Sequence, residues 1–151
     1  MLRCSSLQVY TYQGQRQLDL RQLLLAPTDE YAMENFKVVR PIHLNHYGYL
    51  FGGDLLKWVD EISWIAASRD YPGCKFVTVG MDRVEFTRSV RSGSVLRFDV
   101  NQCGKGNTSL QYEVTVFCDD LDSGEEEQVF STHVTFVCLD TAGNKTSLPA
   151  S

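Results

Sequence analysis

Apolar positions change their spacing twice along this chain. Between residues 54 and 69 they fall at helical intervals, with Leu55, Val59, Ile62 and Ala66 on one stripe, which predicts a helix over about 53–69. Tyr-Pro-Gly-Cys at 71–74 stops it. Four strand-like runs follow at 75–86, 94–103, 108–118 and 128–139. The turn Gly-Lys-Gly-Asn at 104–107 joins the middle pair, and an acidic loop at 119–127 joins the last pair. Ahead of the helix, residues 35–42 read as a strand ended by Pro41, and 43–53 as a loop rich in Gly, Asn and aromatics. Residues 1–33 show no sustained period beyond three leucines at 23–25 and are set apart as an N-terminal extension, which leaves 34–151 as a single domain. Strand, helix and four successive strands make an α+β layer architecture, in which the helix packs its stripe on an antiparallel sheet.

Composition narrows the function classes. A chain of 151 residues, 43% hydrophobic and 22% charged, supports one domain with a real core. A net charge of −5, with no cluster of Lys and Arg, argues against a nucleic-acid groove. No apolar run reaches the roughly 18 residues a membrane helix needs, so no membrane partner is expected. The five cysteines, at 4, 74, 103, 118 and 138, share no C-x-x-C spacing and are odd in number, which fits reduced thiols in a cytoplasmic protein. Residues 1–20 lack the apolar stretch of a secretory signal; arginines and scarce acids keep an organelle transit peptide open.

One residue conflicts with this simple picture. Asp60 lies inside the helix, roughly 130° from the centre of the apolar stripe, and its neighbours on the wheel are Leu56, Ser63, Trp64 and Ala67. The polar strip is elsewhere, at Asp54, Lys57, Glu61 and Ser68. Asp60 therefore occupies a second, mostly apolar face that a small monomer has no reason to build, and a homodimer is expected to cover it. A carboxylate there is costly unless hydrogen-bonded, and it suits a general base; solvation, or a bridge to Lys57 at i−3, is the plainer alternative. Gly52 and Gly53 lie at the helix entrance, where free N–H groups and the positive end of the dipole can accept an oxyanion; a tight loop-to-helix turn is the alternative there. Seven residues of helix separate Gly53 from Asp60 by about 10 Å, too far for both to touch one atom within one chain. Two subunits could bring them together.

The stretches Asn-His-Tyr-Gly-Tyr-Leu-Phe-Gly-Gly at 45–53, the acid seven residues further on, Val-Thr-Val at 77–79 and Gly-Asn-Thr-Ser at 106–109 together resemble the hotdog-fold acyl-CoA thioesterases, in their broad-specificity bacterial form and their mammalian acyl-CoA hydrolase relatives. The likeness runs over about 34–149, and the Phe-Gly-Gly to Asp60 spacing is its most specific part. It implies a long helix wrapped by a five- or six-stranded antiparallel sheet, a homodimer with the active site across the pair, and a hexamer built as a trimer of dimers. It also implies roles. Asp60 matches the family's catalytic acid, Asn45 its partner from the facing subunit, and Gly53 the amide that polarises the thioester carbonyl.

The rim of the motif departs from the family: His43 stands where an acid is usual, Asp54 where a bulky apolar residue follows Phe-Gly-Gly, and Ser89 and Gly93-Ser94 where Pro and Gly-Asp are usual. These changes bear on acyl preference more than on reaction type. Thioester hydrolysis needs no cofactor and no metal, coenzyme A being part of the substrate. His43 and His46 lack the Cys or carboxylate companions of a metal site. Asp60 can activate a water or attack directly to give an anhydride. No Gly-x-Ser-x-Gly elbow offers a serine nucleophile. The coenzyme A moiety is assigned to Arg88 and to Gly106, Asn107, Thr108 and Ser109, with Arg83, Arg91 and Lys105 as further donors. Two other readings stay open: a hotdog dehydratase or hydratase acting on acyl-CoA or acyl-carrier protein through His43 or His46, and a non-catalytic acyl-CoA-binding protein.

Overall fold

The computed structural model describes residues 33–119 and 123–149. Strand β1 spans Met33–Val38, a single 3-10 turn Pro41–His43, helix α1 Gly52–Asp70, and strands β2 to β5 Lys75–Phe86, Val95–Lys105, Ser109–Asp119 and Glu126–Leu139. The expected strand at 35–42 begins and ends earlier, because Pro41 opens the 3-10 turn. Apart from Met33, which starts β1, the expected N-terminal extension lies outside the described residues. All pairings are antiparallel and the sheet has five strands in the order β1-β3-β4-β5-β2, with β1 and β2 at the edges.

Helix and sheet meet through two periodicities. Leu55, Val59, Ile62 and Ala66 are buried as the helical spacing requires, and Trp58, Ser63 and Ala67 join them. Ser63 is buried because its hydroxyl donates back to the Val59 carbonyl at 2.6 Å, which satisfies it inside the core. The core face is thus wider than the four-residue stripe, and it takes in two of the residues that the wheel grouped with Asp60. On the central strand, Leu110, Tyr112, Val114 and Val116 are buried while Gln111, Glu113 and Thr115 are not, the period of two that places one face of a strand against a helix. Each buried Val or Leu contributes roughly 1.5–3 kcal/mol.

The edge strand β2 differs. Its ladder with β5 slips twice, between Thr78 and Gly80 and again between Asp82 and Glu85, so β2 carries two bulges. Arg83, within the second, holds φ 51°, and among the described residues it alone has positive φ without being glycine. Val79, Val84 and Phe86 are exposed large apolar side chains on this edge. On α1, Trp64 is likewise exposed, at 45%.

Candidate active site

Asp60 is half-buried and meets the sheet rather than solvent. Thr78 Oγ1 donates to Asp60 Oδ1 at 2.6 Å, so the partner is a hydroxyl from β2 and not Lys57 one turn earlier. One helical turn on, the Trp64 indole donates from Nε1 to the Phe76 carbonyl at 3.2 Å. These two bonds hold α1 against β2 and fix the carboxylate where helix, edge strand and open surface meet. With Oδ1 engaged, Oδ2 is the oxygen available to a ligand or a water.

Asn45 is fixed by its own loop. Its Oδ1 accepts from Tyr47 N–H at 2.9 Å and Tyr49 N–H at 3.2 Å, and the loop closes through Asn45 N–H to the Tyr49 carbonyl and Gly48 N–H to the Asn45 carbonyl. Gly48 has φ 82°, which glycine adopts freely. Because the carboxamide oxygen is committed, its NH₂ group is what Asn45 can donate to a ligand.

The helix entrance is open. Phe51 is the N-cap residue and supplies no side-chain hydrogen bond, so the amides of Gly52 and Gly53 have no intrahelical acceptor. A Cβ on Gly53 would stand 2.5 Å from the Phe51 ring, so that exposed ring would have to move, and one on Gly52 would stand 3.3 Å from Phe86, a tight contact. Beside them lies a cavity of about 390 Å³, lined by Asn45, Tyr49, Leu50, Gly52, Leu55 and residues 86–90. Asn45 and the helix entrance therefore share one site within the chain. Asp60 belongs to a second, two turns along the same helix.

The residues assigned to coenzyme A do not form one cluster in a single chain. Arg88 follows β2 and pairs with Glu127 at 2.7 Å, at the end of the sheet where β5 begins. The 106–109 turn lies at the opposite end, where Gly106 N–H donates to the Ser109 carbonyl, Cys138 N–H to the Thr108 carbonyl and Leu148 N–H to the Asn107 carbonyl. A groove of about 520 Å³ borders that end, lined by Cys74, Lys75, Cys138, Thr146, Ser147 and others. Burial, with the neighbouring Cys138 thiol, pushes the Cys74 thiol up to about 11, so it stays protonated at neutral pH. His43 and His46 have structural contacts. His43 Nδ1 accepts the Arg40 N–H at 3.1 Å and its ring packs edge-on to Trp58, while His46 lies against Tyr47. Two residues of the site escaped the sequence reading, Thr78 and Phe86. The Val-Thr-Val run carried a usable signal for Thr78.

Residues 47–125 match the model of the thioesterase superfamily. The chain is 31% identical over 113 residues to an uncharacterized acyl-CoA thioester hydrolase of Bacillus subtilis, across 74% of this chain and 64% of that one. It spans less than two thirds of that relative, and 17% of the longer mouse acyl-coenzyme A thioesterase 11. Among solved structures, the acyl-CoA hydrolase of Bacillus cereus is similar at 33% identity and TM-score 0.75, covering 80% of this chain and 73% of that one. The Staphylococcus aureus acyl-CoA hydrolase, in complex with butyryl coenzyme A, coenzyme A and coenzyme A disulfide, is similar at 28% identity and TM-score 0.73 over 80% and 73% of the two chains. Alanine variants of that enzyme replace an Asn, an Asp 15 residues after it, and a Thr a further 17 residues on. A hexameric acyl-CoA thioesterase matches at 28% identity and TM-score 0.75 over 82% and 78%. With the five-stranded sheet wrapped on one long helix, these matches establish that the chain belongs to the thioesterase superfamily and has the hotdog fold.

Proposed function

We propose that this protein hydrolyses acyl-CoA thioesters at a site shared by two subunits. The observation that carries the reading is the Asp60–Thr78 bond, which orients one carboxylate oxygen and leaves the other for a water. The chemistry then assigns itself by group. Asp60 Oδ2 takes a proton from the water as it attacks the carbonyl carbon. The partner subunit's Gly53 N–H and the NH₂ of the partner subunit's Asn45 hold the developing oxyanion, and the helix dipole favours that charge. Collapse of the tetrahedral intermediate breaks the C–S bond and releases coenzyme A thiolate and the carboxylic acid. The separation of Asn45 and Asp60, 15 residues, equals that of the varied Asn and Asp in the Staphylococcus enzyme, and Thr78 stands 18 beyond Asp60 where the varied Thr stands 17 beyond its Asp.

Two subunits are required because Asp60 and Gly53 are two helical turns apart on one chain. Antiparallel pairing along β2 would place the helix entrance of one copy beside Asp60 of the other, and would bring Arg88 of one copy to the same end of the joined sheet as the partner subunit's 106–109 turn. That arrangement supports coenzyme A contacts from both groups, and the hexameric relative supports a trimer of such dimers. A cytoplasmic location accords with the cytosolic human acyl-CoA thioester hydrolase, 29% identical over 139 residues. The dehydratase reading is disfavoured because the His43 ring is already engaged by Arg40 and Trp58.

The test is release of free thiol, followed with Ellman's reagent, from acetyl- to palmitoyl-CoA. Wild type is expected to release coenzyme A, and Asp60→Asn to lower kcat/KM at least about 100-fold with an unchanged circular dichroism spectrum. Wild-type rates in Asp60→Asn would remove the carboxylate from the mechanism.

A further inference from the structure

Phe86 falls on the helix-facing side of β2, although half of it stays exposed, only because the strand is irregular. Phe76 and Thr78, at even positions, pair with Cys138 and Phe136 on the helix-facing side. The bulge at Val79 shifts the inward set to Met81, opposite Val134, and the bulge at Arg83 and Val84 shifts it back, so that Phe86 lies opposite the buried Phe130. The second bulge is held deliberately: Arg83 adopts φ 51°, and the buried Thr132 donates its hydroxyl to the Asp82 carbonyl at 2.7 Å. As a result the Phe86 ring packs on Phe130 at 4.9 Å between centroids and lies over Gly52. It lines the cavity of about 390 Å³ together with Asn45 and Gly52.

We propose that this cavity receives the acyl group and that Phe86 is its specificity-determining residue, favouring short acyl chains. The inference rests on the thioesterase reading. Leu50, Leu55, Phe86 and Val90 give the cavity an apolar side that suits a hydrocarbon chain, while Asn45, Thr87, Arg88 and Ser89 make its other side polar. The Phe86 ring lies close beside Gly52, the neighbour of the amide assigned to the carbonyl oxygen: a Cβ there would stand 3.3 Å from it. An acyl chain entering past that amide meets the ring within a few carbons.

The experiment compares kcat/KM for butyryl-CoA and decanoyl-CoA in wild type, Phe86→Ala and Phe86→Trp, with free coenzyme A as a competing inhibitor. Phe86→Ala is expected to raise the decanoyl-to-butyryl ratio at least about 10-fold, since one methylene of fit in an apolar pocket is worth about 10- to 200-fold. Phe86→Trp should lower it, and inhibition by coenzyme A should not change in either. Should the alanine variant fail to fold, Phe86→Leu carries the same test with a smaller rise. An unchanged ratio in a folded variant overturns the proposal, as does a change confined to coenzyme A inhibition, which would place the ring against the pantetheine arm. Both of those results leave wild-type hydrolysis intact. Absence of hydrolysis in wild type with every acyl-CoA would instead overturn the thioesterase reading beneath it.

Discussion

The two ends of helix α1 follow opposite rules. At the exit, several polar groups find partners, the buried Ser68 hydroxyl excepted: the Tyr112 hydroxyl donates to Asp70 at 2.6 Å, Tyr71 N–H to the Ala67 carbonyl at 3.0 Å, and the Tyr71 hydroxyl to Gln102 at 3.2 Å. The Lys105 ammonium lies 4.8 Å from the centroid of the Tyr71 ring. At the entrance, the N-cap residue gives no side-chain bond, two glycines lead the helix, and the aromatic rings of Phe51 and Phe86 are exposed. An end anchored for stability needs its hydrogen bonds made. One that serves a substrate needs its donors left unmade until the ligand arrives. Asp60 lies between these regimes, with one oxygen anchored by Thr78 and the other assigned to the water in the proposed mechanism.

Thr78 separates an anchoring bond from a catalytic one. Thr78→Val keeps the shape and removes the hydrogen bond that orients Asp60. A bond to a charged group is worth about 1.5–3 kcal/mol, so kcat should fall about 10- to 100-fold while KM for butyryl-CoA stays within about twofold. Thr78→Ser should recover most of the loss. A fall in thermal stability with kcat intact would make the bond an anchor like those at the exit.

A smaller effect is expected at the anchored end. Burial raises the Asp70 carboxyl above its ordinary value, against the lowering influence of the Tyr112 bond and of Arg69. A carboxyl raised by folding gives its full support to the folded state below the unfolded pKa and loses it as pH rises through the folded value. Asp70→Asn retains an acceptor for the Tyr112 hydroxyl and has no charge to bury. Its Tm should exceed that of wild type by about 2 °C at neutral pH, the difference closing near about pH 3, with kcat unchanged. A lower Tm for the variant at neutral pH would mean that the ionised carboxylate is a net support at the exit.

Sequence legibility divided along the same line. The helix from about 53 to 69 became Gly52–Asp70, and the strand 75–86 was read with both ends correct, because helical spacing and β-branched runs are local signals. The wheel found the unusual position of Asp60, yet it placed Ser63 and Ala67 on the same outer face; Ser63 is buried because its hydroxyl turns back to the helix, a contact no periodicity reveals. The two bulges of β2 were invisible, since an inserted residue looks like any other in a strand run, and with them went the direction of Phe86. Thr78 pairs with Asp60 across 18 residues, so its role is set by register and not by local pattern. Arg88 and the 106–109 turn were grouped by chemistry alone, and the topology sends them to opposite ends of the sheet.

The central claim, that Asp60 of one subunit works with the entrance loop of another, is tested most directly by subunit complementation. Asn45→Ala and Asp60→Asn chains, each expected to be nearly inactive alone, are co-expressed with different tags and the mixed dimer is isolated and assayed for thiol release. In a two-fold pair, one of the two sites then lacks both groups and the other has both intact. A site shared between subunits gives about half of wild-type activity per isolated mixed dimer, or roughly a quarter in a random unseparated mixture. A mixed dimer no more active than its parents, beside a wild-type dimer of normal activity handled in the same way, would contradict a site shared between subunits.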